Sequence, residues 1–173
     1  MGHASVETEG EARRDDGPAP EPPTRLCGRF TNGIDAKSRV VMPAAFRAPF
    51  AADGGLITPW RGTCLAAMAP GEFDLYVARA AASLADAGED VDRHLSTLWS
   101  STVTFGLDLQ GRLVLPEEVR SQVGITDEVR FQGRGRRVEL WPGAITAEEL
   151  DERADHLVTL GAVQRAYIPE LES

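Results

Sequence analysis

Two aspartate–arginine pairs share one spacing in this chain, Asp35–Arg39 and Asp108–Arg112. Each is followed by a short apolar run, a proline (Pro43, Pro116) and a second arginine four residues on (Arg47, Arg120). An aspartate opening a tight turn accepts hydrogen bonds from the backbone N–H groups that follow it. Asp35 and Asp108 therefore read as turn builders, with Gly111 where the turn needs positive φ and Ser38 in that place in the first copy at a cost in strain. Arginine forks suit phosphates and guanine edges. Arg39 and Arg112 directly follow the turns and can project from the rim of a sheet. Arg47 and Arg120 sit about one turn inside short proline-started helices, close to the same rim. Lys37 and Arg29 add charge in the first copy. The same spacing permits a second reading, in which these arginines pair with Asp35, Asp108, Glu117 or Glu118 across a subunit interface.

No enzyme signature accompanies them. The chain has no GxSxG, P-loop, GxGxxG or HExxH pattern. His3, His94 and His156 are scattered, and Cys27 and Cys64 stand apart with no CxxC. The expectation is no metal, no cofactor and no catalysis, with both cysteines as buried free thiols. The carboxylates read as helix-surface or tail residues. Trp60 and Trp141 read as core or subunit-contact residues, and the arginine run 134–137 as a solvated hairpin turn.

The formal charge of −9 runs against nucleic-acid binding, but its distribution is uneven. Residues 1–26 carry six acids against three arginines, and residues 144–173 seven against two. Residues 27–71 carry only Asp35 and Asp53 against five bases, so the first copy is locally positive. The second, 101–143, is neutral, with six acids and six bases. Arg39 with Lys37 is therefore expected to matter more than Arg112. No apolar stretch approaches the ~18 residues of a membrane span, and the polar start lacks an apolar signal core. A cytoplasmic protein is expected.

The elements that must position these residues follow from local pattern. Residues 1–25, rich in Glu, Asp, Pro and Gly, predict a disordered acidic tail. Strands are expected at 28–34, ending at Asn32-Gly33, at 39–42, at 56–58 and at 64–68, the last two joined through Arg61-Gly62. Pro43 starts a short helix that Pro49 stops. Phe73, Val77, Ala80 and Leu84 predict an amphipathic helix over 72–87, and Val91, Leu95, Leu98 and Thr102 a second one. Thr146 to Glu149 forms a capping box opening a last helix.

At an offset of 73 the pattern returns without a gap. Ile34 falls on Leu107, Val40 on Leu113, Met42 on Leu115, Phe46 on Val119 and Leu65 on Val138. Such a register over about 40 residues marks a duplication. Each copy is too short for a confident core of its own, so each is expected to complete the other's. The domains are read as the tail 1–25, repeat one 26–71, a helical linker 72–100, repeat two 101–145, a C-terminal helix 146–162 and a flexible tail 163–173.

The segments Asp35-Ala36-Lys37-Ser38-Arg39 through Pro43 and Asp108-Leu109-Gln110-Gly111-Arg112 through Pro116 resemble the signature of the SpoVT/AbrB-like swapped-hairpin DNA-binding family. Two tandem copies with a helical linker resemble the MraZ family of bacterial transcription regulators, over residues 27–155. Leu65 to Pro70 and Val138 to Trp141 are similar to that family's closing strands. The resemblance implies an α+β fold, a swapped-hairpin, double-ψ-like β-barrel with flanking helices. It implies rings of eight or more subunits, binding direct repeats in promoter DNA upstream of division and cell-wall genes, as a nucleoid-associated repressor. Carried over, the DNA-binding positions are Lys37, Arg39, Arg47, Arg112 and Arg120, with Arg29 added from its charge. Ser38 stands in place of the family glycine, Gln110 in place of its lysine, and the acidic tail is an addition. An alternative is an antitoxin-like protein-binding module of the same fold that has lost DNA affinity.

Overall fold

In the computed structural model, residues 25–146, 149, 158–160 and 162–164 are described. The expected acidic tail, most of the expected C-terminal helix 146–162 and the last residues fall outside them. The order is β1 (Arg29–Gly33), β2 (Arg39–Val41), β3 (Gly55–Trp60), β4 (Cys64–Met68), α1 (Pro70–Asp86), α2 (Val91–Ser100), β5 (Val103–Phe105), β6 (Arg112–Val114), α3 (Glu117–Ser121), β7 (Glu128–Gly133) and β8 (Val138–Pro142). The fold is mixed α+β, with all strand pairs antiparallel.

Six strands form one sheet in the order β1-β7-β8-β4-β3-β5, and β2 and β6 form a separate two-stranded ribbon. An offset of 73 carries β1 onto β5, β3 onto β7 and β4 onto β8, so the order reads the same from either edge. β1 pairs with β7 rather than with its own β3, and β5 pairs with β3 rather than with β7. At the centre Ala66 stands opposite Glu139, and in the ribbon Val40 stands opposite Leu113, each residue facing its offset partner.

One core unites both copies. Val40, Met42, Phe46, Leu113, Leu115 and Val119, residues matched by the offset, are all buried in it. β4 is buried along its whole length because it is covered on both sides. Its side chains alternate, as strand geometry requires: Leu65 and Ala67 enter that core, while Ala66 and Met68 meet Phe73 on the other side. Phe73 belongs to α1, and its ring packs 5.3 Å from that of Trp99 on α2.

Local chemistry sets the boundaries. Arg61 and Gly62 both have positive φ, 52° and 71°, the pattern of the tight β3–β4 hairpin. Pro70 sits in the first turn of α1, where its missing N–H costs nothing. The helix ends at Gly88, φ 72°, with Glu89 N donating to the Leu84 carbonyl and Gly88 N to that of Ala85. Asp90 caps α2 by accepting from Arg93 N. Thr146 and Glu149 exchange side chain-to-backbone bonds, the expected capping box.

Two expectations need correction. The helix predicted between Pro43 and Pro49 is a pair of short 3-10 turns, Ala44–Phe46 and Ala48–Phe50. Pro49 does not stop it but lies inside the second turn, where it has no intrahelical donor to lose. Cys64 is a buried free thiol, but Cys27 is free and exposed. Burial, with the negative charge of Glu139 adding to it, pushes the Cys64 thiol up to about 12. No helix among the described residues is long and apolar enough to cross a membrane.

Candidate nucleic-acid interface

The two Asp–Arg turns have the same geometry. Asp35 Oδ1 accepts from the backbone N–H groups of Lys37 and Arg39, each at 2.9 Å, and Oδ2 accepts from Arg39 Nε at 2.8 Å. Asp108 does the same with Gln110 N, Arg112 N and Arg112 Nε, at 2.9, 2.9 and 2.7 Å. Both carboxyls are held below the usual aspartate range, chiefly by the backbone N–H of the arginine four residues on, with the guanidinium adding to it. The residue before each arginine has positive φ, 57° at Ser38 and 74° at Gly111.

Each turn is also tied to the other copy. Met42 N donates to the Gly111 carbonyl and Leu115 N to the Ser38 carbonyl, both at 2.8 Å. Between them runs the β2–β6 ribbon, with Arg39 opposite Val114 and Val41 opposite Arg112. Because side chains alternate along a strand, Val40 and Leu113 point into the core and are 1% exposed. Arg39, Val41, Arg112 and Val114 share the other, outward face. Ribbon spacings put the two arginine Cα atoms about 8 Å apart on its diagonal. Lys37 is exposed in the first turn, and Leu109 is wholly exposed in the second. Arg112 Nη2 is further held by Gln110 Oε1 at 2.7 Å.

The remaining site candidates lie elsewhere. Arg47 turns inward: its Nε donates to the Met42 carbonyl at 2.8 Å. Arg120 donates through Nη1 to the Thr126 carbonyl, and its Nε is buried with no acceptor among the described residues. Arg29 opens β1 opposite Gln132, about 20 Å of chain away from Asp35, where the turn begins. The structure thus brings Lys37, Arg39, Arg112 and the two aspartates to one surface, sets Arg47 against the Met42 carbonyl and Gly111 beside it, and turns Arg120 away to the loop before β7.

A second arginine cluster lies at the other end of β7. The 134–137 run is an exposed turn at 134–136, as expected, but its arginines also pair with acids of the sheet and of α1. Glu139, 3% exposed on the central strand β8, takes Arg137 Nη2 at 2.8 Å, Arg134 Nε at 3.1 Å and Trp141 Nε1 at 3.2 Å. A carboxylate at this depth needs counter-charge, and the hairpin supplies it. Burial pushes the Glu139 carboxyl up, but the bonds from Arg137 and Arg134 outweigh it and leave it lowered. Arg136 pairs with Glu72 of α1 at 3.4 Å, and Arg137 lies over the Trp60 ring, 4.5 Å from its centre. Sequence reasoning does not single out Glu139. Its one signal is a lone acid between Val138 and Leu140, at the position the offset assigns to Ala66.

Fold and site together define an α+β protein that displays two matched charged turns on one two-stranded ribbon. The chain is 36% identical over 131 residues to the transcriptional regulator MraZ of Parvibaculum lavamentivorans, covering 69% of this chain and 78% of that one. It is 35% identical to that of Beijerinckia indica, covering 69% and 75%, and 31% identical to that of Gluconobacter oxydans, covering 81% and 89%. No family model matches it. The chain belongs to the MraZ family of transcriptional regulators.

Proposed function

We propose that this regulator acts by binding promoter DNA through the β2–β6 ribbon and its two turns. The shared outward face of Arg39 and Arg112 is the observation that carries the reading. A two-stranded ribbon is an element that the ~12 Å major groove of B-DNA admits. Here that ribbon presents forked donors for phosphate or guanine beside Val41 and Val114, apolar groups suited to thymine methyls. Lys37 adds a cation for the backbone. Arg47 serves the same surface from below, by holding the Met42 carbonyl just past β2, whereas Arg120 ties α3 to the loop before β7. Arg29 lies outside this surface.

The exchange of strand partners supports a swapped-hairpin, double-ψ-like barrel built from two tandem repeats, 26–71 and 101–145. In this reading chains assemble into a ring of eight or more, whose successive turns meet direct repeats upstream of division and cell-wall genes. The regulator represses them as a cytoplasmic, nucleoid-associated protein.

The experiment is a titration of the full chain against DNA from its own upstream region at several salt concentrations. With Lys37, Arg39 and Arg112 each neutralising a phosphate, log affinity should fall against log salt with a slope of about −2.7 per engaged chain. Arg39→Ala should weaken binding about tenfold or more. Salt-independent binding, or an Arg39→Ala variant with unchanged affinity, would overturn the reading.

A further inference from the structure

We propose that the acidic N-terminal segment of this chain, residues 1–24, docks on the arginine-rich groove between the β7–β8 hairpin and α1. The groove is a second basic surface. It consists of two adjoining cavities, about 360 and 410 Å³, that share Trp60 and Arg137. The first is mostly apolar, floored by Trp60 and Tyr76 and rimmed by Arg79 and Arg136. The second adds Arg61 and Arg134. Against these five arginines, the lining holds two acids, Glu72 and Glu139, so the groove carries an excess of positive charge. Trp60 also leaves a donor unused: its Nε1 is shielded from solvent and meets no acceptor among the described residues.

The chain enters the fold beside this groove. Leu26 N donates to the Gly135 carbonyl and Gly135 N to that of Leu26, both at 2.8 Å. Gly135 lies between Arg134 and Arg136, so the 24 residues that precede Arg25 begin next to the arginines. Those residues carry Glu7, Glu9, Glu11, Asp15, Asp16 and Glu21, against Arg13 and Arg14. Glu21 is five residues from Leu26, a reach of about 17 Å, and the other acids reach further. Carboxylates would pair with Arg136 and Arg79, which are exposed, and would offer acceptors to a groove rich in donors.

For DNA binding, as read above, such docking has a consequence. β7 begins just after Asp127, whose carbonyl holds Ile34 next to the first turn, and runs to the arginine hairpin at its far end. A tail docked there cancels positive charge remote from the ribbon and leaves the turns as the surface that attracts phosphate.

The test uses the full-length Arg136→Lys chain, in which Lys37 is the one other lysine, and zero-length carbodiimide coupling of carboxylate to amine. The expected products at low salt are amides from the new amine at position 136 to acids of residues 7–21 within one chain, lost at about 0.5 M salt. Coupling to Glu72, the partner of Arg136 in the structure, is the internal control. Mixed isotope-labelled and unlabelled chains separate intrachain from interchain products. Three results would each overturn the proposal: the Glu72 product alone, tail products only between chains, or products only from acids of residues 148–173. A second measurement follows trypsin cleavage at Arg13 and Arg14 of the full chain. Arg79→Glu with Arg136→Glu should speed it about fivefold, and an unchanged rate would count equally against docking. Neither readout involves DNA, so each can fail while promoter binding stands, and the reverse.

Discussion

The guanidinium of Arg47 occupies the space that a Cβ on Gly111 would take. A side chain of the first copy thus fills the gap left by glycine in the turn of the second. In the offset-related place stands Ser38, which has a side chain, and the related Arg120 turns away to Thr126. Adding a methyl at 111 therefore combines left-handed strain with eviction of Arg47. Gly111→Ala is expected to cost about 2 kcal/mol or more, since left-handed backbone alone costs roughly 1–2 kcal/mol outside glycine. Ser38→Gly relieves that strain but gains unfolded-state freedom, leaving a net gain of about 0.5 kcal/mol. Urea midpoints of the two variants check both signs, and a destabilised Ser38→Gly would show that Ser38 holds the turn by other means.

The two ribbon arginines should not contribute equally to DNA affinity. Arg112 is held by both Asp108 and Gln110, whereas Arg39 is held by Asp35. Lys37 stands beside Arg39, and Gln110 takes its place in the second turn. Arg39→Ala is expected to cost about 2 kcal/mol of binding, within the ~1–3 kcal/mol of a good bidentate contact, and Arg112→Ala less. Side-by-side titrations decide it; a larger loss for Arg112→Ala reverses the ranking.

Glu139 should matter more for stability than any surface acid. Glu139→Ala leaves Arg134 and Arg137 without their shared partner at the sheet centre. Removing one side of a buried pair costs roughly 3–5 kcal/mol, and because both arginines are partly exposed the expected loss is about 3 kcal/mol. Denaturant unfolding measures it. A loss below about 1 kcal/mol would mean that solvent replaces the pairing.

Acid should loosen the fold through three carboxyls. Asp35, Asp108 and Glu139 are all lowered in the folded chain, from ordinary values of 3.8, 3.8 and 4.5. A group whose folded value is depressed contributes fully above its unfolded value and loses that contribution as pH falls through the folded one. Thermal midpoints should therefore show no contribution from these groups to any change between pH 7 and about 5. They should fall below about pH 4.5, first through Glu139 and then through the aspartates. Glu139→Gln should flatten the upper part of that fall, and an unaltered profile would assign it to other groups.

How much of this was legible in sequence depended on whether the cause was local. β4 spans the predicted 64–68, and the apolar residues matched at an offset of 73, such as Met42 with Leu115, are buried together. Turn chemistry at Asp35 and Asp108 is written within five residues. The fate of Arg47 is not, because it depends on a missing Cβ on Gly111, 64 positions away. Glu139 was unreadable for a similar reason: its burial comes from neighbours on both sides of a central strand. The pairing of Arg134 and Arg137 was hidden with it, although the turn at 134–136 is exposed as its sequence suggested.

The order β1-β7-β8-β4-β3-β5 has an evolutionary consequence. Two identical chains joined in this way would show every substitution twice, once at each related place. A single chain carrying both halves escapes that doubling. It bears the strained serine at 38 once, opposite a relaxed glycine at 111. It keeps lysine in one turn and glutamine in the other, and it seats one carboxylate, Glu139, against one alanine, Ala66. One chain can thus set different residues at related places, where a symmetric pair could only repeat itself.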